Sequence, residues 1–225
     1  MAAQLTSWYQ RILGNEKQRA MYAKYVSIAF GSSIIIMGLF FGYRWYVVYR
    51  EREAQAVLAE YIHKAQTNSN ASLAAMESLF QEGAQKQSGS SLEPYFLVFQ
   101  ANTLIKEGKL DDAIGIMEKA ITHMSKSNAL LPLFEVKHAL MQMDSTVSAS
   151  QQIGLQKLTE LARDVKNPYA DMASFFLGNY YWSVNNLEEA KKVWQELIEV
   201  QRKEQMGAPS PWAQLAQIKL QQITA

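Results

Sequence analysis

The side chains best suited to chemistry are three histidines, His63, His123 and His138, and two acidic pairs, Asp111-Asp112 and Glu188-Glu189. A zinc site needs three or four ligands. None of the histidines has a second His or a paired carboxylate at ligand spacing, and the chain contains no cysteine. Each acidic pair opens a helical stretch, where a carboxylate simply favours the positive end of the helix dipole. The chain carries no G-x-S-x-G, no phosphate-binding P-loop and no G-x-G-x-x-G. The expectation is therefore no catalytic residue, no metal, no cofactor and no small-molecule substrate. Asn70-Ala71-Ser72 matches a glycosylation sequon, which carries meaning only in a eukaryotic secretory setting.

Amide and aromatic side chains suited to binding a peptide need a scaffold, and the chain offers a helical one. Period-two alternation and Asn-Gly or Asp-Gly hairpin turns are lacking, whereas helical periodicity recurs throughout. The fold class expected is all-α. Helices are predicted over about 72–83, 94–107, 110–125, 130–143, 148–165, 168–184, 187–203 and 211–223. They are punctuated by Gly108, Asn167-Pro168, Asn185-Asn186 and Gly207-Ala208-Pro209. Cysteine-free and mildly acidic, residues 51–225 hold 16 Lys/Arg against 20 Asp/Glu. Such a surface does not suit nucleic acid, whose phosphates need a basic face.

Ahead of that array lies an uncharged run, Val26 to Tyr43, of eighteen residues. At 1.5 Å per residue it spans about 27 Å, close to the ~30 Å hydrocarbon core of a bilayer. It is too long and too far along the chain for a cleaved signal peptide, and Arg44-Trp45-Tyr46 follows it in place of a small-residue cleavage site. Tyr22 and Tyr25 before it, and Tyr43, Trp45, Tyr46 and Tyr49 after it, suit interfacial belts. The run reads as a single transmembrane anchor, contacting membrane lipid, that continues as helix to about Thr67. Gly31, Gly38 and Gly42 share one face of it, as a small-residue surface for another transmembrane helix or as the glycine usual in membrane helices. Four basic residues flank each side: Arg11, Lys17, Arg19 and Lys24 before, Arg44, Arg50, Arg52 and Lys64 after. Lys/Arg counting leaves the topology open. The organisation expected is a tail over 1–24, an anchor over 25–49, a helical linker region over 50–93 and a helical domain over 94–225.

Two helix pairs look alike. Ala101, Leu104, Gly108, Ala113, Met117 and Ala120 fall at fixed offsets that recur 77 residues later, with Leu177, Gly178, Tyr181, Asn185, Ala190 and Trp194 marking the second pair. The pattern resembles the tetratricopeptide repeat, a 34-residue helix pair with small residues where helices cross. An unrelated bundle with coincident spacing is the alternative. The middle pair, between 130 and 165, does not show the motif. The last helix, with apolar residues at 212, 215, 218, 220 and 223, would cap the array. In such arrays the first helix of each pair lines the concave face, which places Val98, Asn102 and Ile105, and Phe175, Asn179 and Trp182, as candidate partner-binding residues. The alternative for Phe175 and Trp182 is core packing. Tetratricopeptide domains that hold a terminal carboxylate pair an Asn at the position of Asn102 and Asn179 with a Lys four residues earlier. Val98 and Phe175 stand there instead.

The whole layout resembles the YfgM-like ancillary subunits of the SecYEG translocon. The resemblance rests on Gly42-Tyr-Arg-Trp-Tyr46 at the anchor exit, Phe176-Leu-Gly-Asn-Tyr-Tyr, Asn186-Leu-Glu-Glu-Ala-Lys-Lys-Val-Trp194 and the terminal Ala216-Gln-Ile-Lys-Leu-Gln-Gln-Ile223. The tail departs from it, with Ser7-Trp8-Tyr9 and a basic stretch where an acidic start belongs. The resemblance implies a bacterial inner-membrane protein with a cytoplasmic N-terminus and periplasmic repeats. Its partners would be translocon subunits, periplasmic chaperones or exported chains. The function expected is non-enzymatic interaction in the handling of exported proteins; the alternative is a structural scaffold of an envelope or cell-division complex.

Overall fold

A computed structural model describes the backbone of residues 16–67, 72–203 and 210–224, and side chains at 37, 40–49, 52–67, 72–200 and 210–223. Among the described residues there are nine helices and no strand: α1 (Glu16–Thr67), α2 (Leu73–Lys86), α3 (Glu93–Lys106), α4 (Leu110–His123), α5 (Leu131–Met143), α6 (Ser148–Arg163), α7 (Ala170–Ser183), α8 (Leu187–Lys203) and α9 (Pro211–Thr224). The chain divides within α1, between Ala59 and Glu60, into two units.

The first unit is the helical backbone of α1 up to that point. Its described side chains from Met37 to Tyr49 include Phe40, Phe41, Tyr43, Trp45, Tyr46 and Tyr49, all exposed. Among the described residues no helix is long and apolar enough to cross a membrane. The side chains of 26–36, 38 and 39 lie outside the described residues. Residues 1–15 of the expected tail, and the surroundings of Gly31 and Gly38, lie outside them too.

The second unit holds the last turns of α1 and all of α2–α9. Each helix packs chiefly on its neighbours in sequence: α2 on α3, α3 on α4, α5 on α6, α7 on α8, and α9 on both α8 and α7. The array is joined at its start by Tyr61, whose ring meets Phe96 edge-on at 5.0 Å, and by Phe80 stacked on Phe99 at 5.2 Å. Ser72 caps α2 by accepting a hydrogen bond from the Ala75 N–H at 3.2 Å. Gly83, read from sequence as the end of this helix, lies inside it. A methyl group there would come within 2.6 Å of the Phe96 ring, so the glycine makes room for packing rather than for a turn.

The two look-alike pairs close in the same way. The Lys109 N–H donates to the Leu104 carbonyl and the Gly108 N–H to Ile105; the Asn186 N–H donates to Tyr181 and the Asn185 N–H to Trp182. This is the Schellman end, which needs a left-handed residue at its pivot. Gly108 (φ 78°) and Asn185 (φ 60°) supply it, the second being a residue type that tolerates the conformation.

The middle pair hides its register. Gly154 of α6 sits against Ala139 of α5, and a methyl at 154 would meet the Ala139 carbonyl oxygen at 2.6 Å and the Met143 nitrogen at 2.8 Å. Ala139 and Gly154 are fifteen positions apart, where Ala101–Ala113 and Gly178–Ala190 are twelve apart. The turn between α5 and α6 is one residue longer than its counterparts, the rest of the difference arising because the crossing lies deeper along α6. It is held by Asp111 of α4, which accepts from Ser145 Oγ at 2.6 Å and Thr146 Oγ1 at 3.1 Å. Asp111 thus ties one pair to the next as well as facing its own helix dipole. The cap helix α9 buries Ala213 and Ala216 and partly buries Trp212, Leu220 and Ile223, turning Leu215 and Ile218 outward. It does not bury its whole apolar set.

These crossings yield a paired prediction. Gly154→Ala forces a methyl onto backbone and should cost about 2 kcal/mol or more, lowering Tm by roughly 5 °C or more. Gly115→Ala, on the open side of α4 with nothing within 4 Å, should stabilise by about 0.5–1 kcal/mol through helix propensity. Thermal melts followed by circular dichroism read both.

Candidate functional site

The first helices of the pairs, α3, α5 and α7, bring together only part of the expected binding set. Val98 is buried. Phe175 is buried in a core of Ala190, Trp194, Leu197, Ala213 and Ala216, with its ring 5.5 Å from Trp212. Trp194 explains this burial: fully enclosed, it lies against Gly178 and donates its indole N–H to the Phe175 carbonyl at 3.2 Å. Ile105 and Trp182 are exposed, at 36% and 39%. The ammonium of Lys219 lies 3.9 Å from the Trp182 ring centre, a cation–π contact from the cap helix. Gly42 has nothing within 4 Å of where a side chain would begin.

The two asparagines, alike in repeat position, differ in their surroundings. Asn102 is half-buried and its Oδ1 accepts a hydrogen bond from Lys137 of α5. Asn179 is half-buried on α7, and its Oδ1 is buried without a partner. Helices α5, α6 and α7 enclose a groove of about 780 Å³, with Leu140, Met143, Leu155, Phe176 and Tyr180 as its apolar part and Asp144, Gln151, Gln152 and Asn179 among its polar lining. Apolar and amide groups thus line it together, a composition suited to a peptide segment.

Lys137 is the residue that sequence reasoning missed. Burial holds its ammonium below the usual lysine range, and no carboxylate offsets that cost. The signal was present, since Lys137 stands 35 positions after Asn102. It was hidden because the contact joins first helices of successive pairs, which no local pattern marks.

The histidines and acidic pairs play structural parts. Among the described residues no group of three or more His, Asp or Glu could hold a metal. His138 is half-buried between helices with its Nε2 unpartnered, and burial pushes its pKa down despite Glu118 and a hydrogen bond donated to the Ile114 backbone carbonyl. His63 is exposed on α1. His123 meets Glu93 at 3.0 Å, and the other oxygen of Glu93 accepts from the Gly89 N–H at 2.6 Å. This clamp closes the α2–α3 loop onto the end of α4. The Gly89 hydrogen bond, then His123, hold the Glu93 carboxyl below its ordinary range, against the opposing effect of burial.

The arrangement of helices is similar to that of solved repeat proteins. Two crystal structures of a Podosopora anserina protein described as a kinesin light chain, with nearly identical TPR-like repeats, match at TM-scores of 0.55 and 0.54. They are 13% and 12% identical to this chain, and each match covers 74% of it and 84% of the other. A tetratricopeptide repeat protein from Parabacteroides merdae matches at a TM-score of 0.52 and 16% identity, over 77% of this chain and 60% of that one. At these identities the likeness is one of fold: the helices form a tetratricopeptide-like array, an architecture of extended protein-binding surfaces. No family model matches the chain, and no curated protein matches it in sequence.

Because the folded pKa of Glu93 lies below its unfolded value near 4.5, its contribution is present above that pH and is lost as pH falls through the folded value. Glu93→Gln should cost about 1.5–3 kcal/mol at pH 7. The gap in Tm between the native protein and the variant should narrow steadily between pH 5 and pH 3. A pH-independent gap would remove the carboxylate from this account.

Proposed function

We propose that this chain is a membrane-tethered, non-enzymatic interaction module. It works beside the protein-export channel of a bacterial inner membrane, with its helical array on the periplasmic side, and assists exported chains together with periplasmic chaperones. The observation that carries the tether is the aromatic collar of α1. Met37, Phe40, Phe41, Tyr43, Trp45, Tyr46 and Tyr49 are 54–73% exposed and point to every side of the helix. An apolar helix surface with no polar stripe suits lipid rather than water. Trp45 and Tyr49, stacked at 5.9 Å, are the residue types that settle at a headgroup interface, with Arg44 beside them to reach the phosphates. Gly31, Gly38 and Gly42 would then offer a close-packing face to a channel helix.

The tetratricopeptide-like array supports the interaction half of the reading, and the resemblance to translocon ancillary subunits supports the setting. Tethering raises the effective concentration of the groove where chains emerge, so weak and tolerant contacts suffice.

The chain has no cysteine, so single cysteines give a clean topology test. One replaces Ser88, exposed between α2 and α3, and another replaces Ser7. A membrane-impermeant maleimide applied to spheroplasts should label position 88 and spare position 7. Labelling of 7 alone would put the array in the cytoplasm and end the export reading. Labelling of both in a soluble fraction would remove the tether.

A further inference from the structure

Leu133, Lys137 and Leu140 of α5 and Asp144 at its C-terminal end are spaced by four, three and four, which places them on one helix face. The first three are half-buried and Asp144 is exposed. Lys137 reaches sideways to the Asn102 amide of α3. Leu140 and Asp144 line the groove against α7, whose Asn179 Oδ1 is buried without a donor.

An ammonium on such a face is expensive. Its aliphatic stem can pack, but its charge loses water. Elsewhere in the array exposed lysines have carboxylates at hand, as Lys64 has Glu60, Lys86 has Glu82 and Lys109 has Glu107. Lys137 forms no ion pair among the described residues, where its ammonium donates to the neutral Asn102 amide. That amide orients the ammonium without neutralising it. Apolar side chains lie on both sides of it along the face, so a chain in this groove passes the ammonium rather than ending at it.

We infer that the α3–α5–α7 face takes an extended segment of a protein partner that carries an internal acidic side chain, with the carboxylate paired to Lys137 and a following apolar side chain in the groove beside Leu140 and Phe176. This rests on the reading of the array as an interaction module and specifies the chemistry of its partner. From Leu133 to Asp144 the face runs about 16 Å, which an extended segment covers with about five residues. Asp144 sets the polarity: the acidic residue belongs at the Lys137 end, since a carboxylate at the other would meet a like charge. A single cation with apolar flanks selects an internal Asp or Glu over a free C-terminus.

The test uses the full chain in detergent micelles and three fluorescein-labelled nine-residue peptides read by anisotropy. The first is capped at both ends, with Glu between a Leu and a Phe. The second has Gln in place of the Glu. The third has the Gln and a free C-terminal carboxylate. The first should bind about ten-fold more tightly than the second, as expected for one charge-assisted hydrogen bond, and also more tightly than the third. Lys137→Met should erase that preference while raising Tm by a few degrees, because it removes an uncompensated half-buried charge. A merely structural Lys137 would leave the preference intact. Equal binding of all three overturns the inference and leaves the interaction reading standing, and a preference for the third assigns the site to chain termini instead. If none binds, the groove is not a peptide site, and the inference falls together with the reading of this face.

Discussion

The structure depends on how closely paired helices can approach, and at each crossing that is decided by a missing or minimal side chain. Gly83 admits the ring of Phe96, Gly154 lies against the Ala139 carbonyl, and Gly178 receives the indole of Trp194. Ala101, Ala113, Ala139 and Ala190 are fully enclosed. Large residues fill the seams between: Phe96, Met117, Leu158 and Trp194 have almost no exposed surface. Small at the crossing and large in the seam is the rule that lets neighbouring helices interdigitate at interior density. It also explains why α3, α5 and α7 can share a face, since each is drawn tightly onto the second helix of its pair.

That rule was legible in the sequence where its spacing was regular. The offsets shared by the first and third pairs identified two hairpins down to their Schellman pivots, Gly108 and Asn185. Helix boundaries followed from capping and breaking residues, because such signals are local. Reading failed where a long-range contact decides. Gly83 looks like a stop until the Phe96 ring is seen. The fifteen-residue spacing of Ala139 and Gly154 reflects a crossing deeper along α6, behind a turn stapled by Asp111 from another helix, and no local pattern announces that. The contact of Lys137 with Asn102, 35 positions away, is equally long-range. Two of the six expected binding residues, Val98 and Phe175, are buried, Phe175 in the core that α7 shares with α8 and the cap helix.

Function follows from what the array leaves unmatched. Its hairpins satisfy their backbone, its turns are held by Asp111, Glu93 and Asn167, and Asn167 alone bonds both the Leu161 carbonyl and the Tyr169 N–H. Against that background, the exposed aromatic collar of α1 and the ammonium of Lys137, which has no carboxylate partner among the described residues, stand out. In the proposed reading the collar meets lipid and the ammonium meets a peptide. A tether joined to a peptide groove would then be a device for meeting chains at a membrane surface.

The central claim is that partners meet the array on its first-helix face. The most direct measurement places a photo-crosslinking amino acid at Ile105, exposed on that face, and separately at Val165, which is 95% exposed in the α6–α7 turn. Both positions are irradiated in living cells. The account predicts adducts with exported chains or export-channel components from position 105 and essentially none from position 165. Adducts from 165 alone, or equal adducts from both, would contradict it.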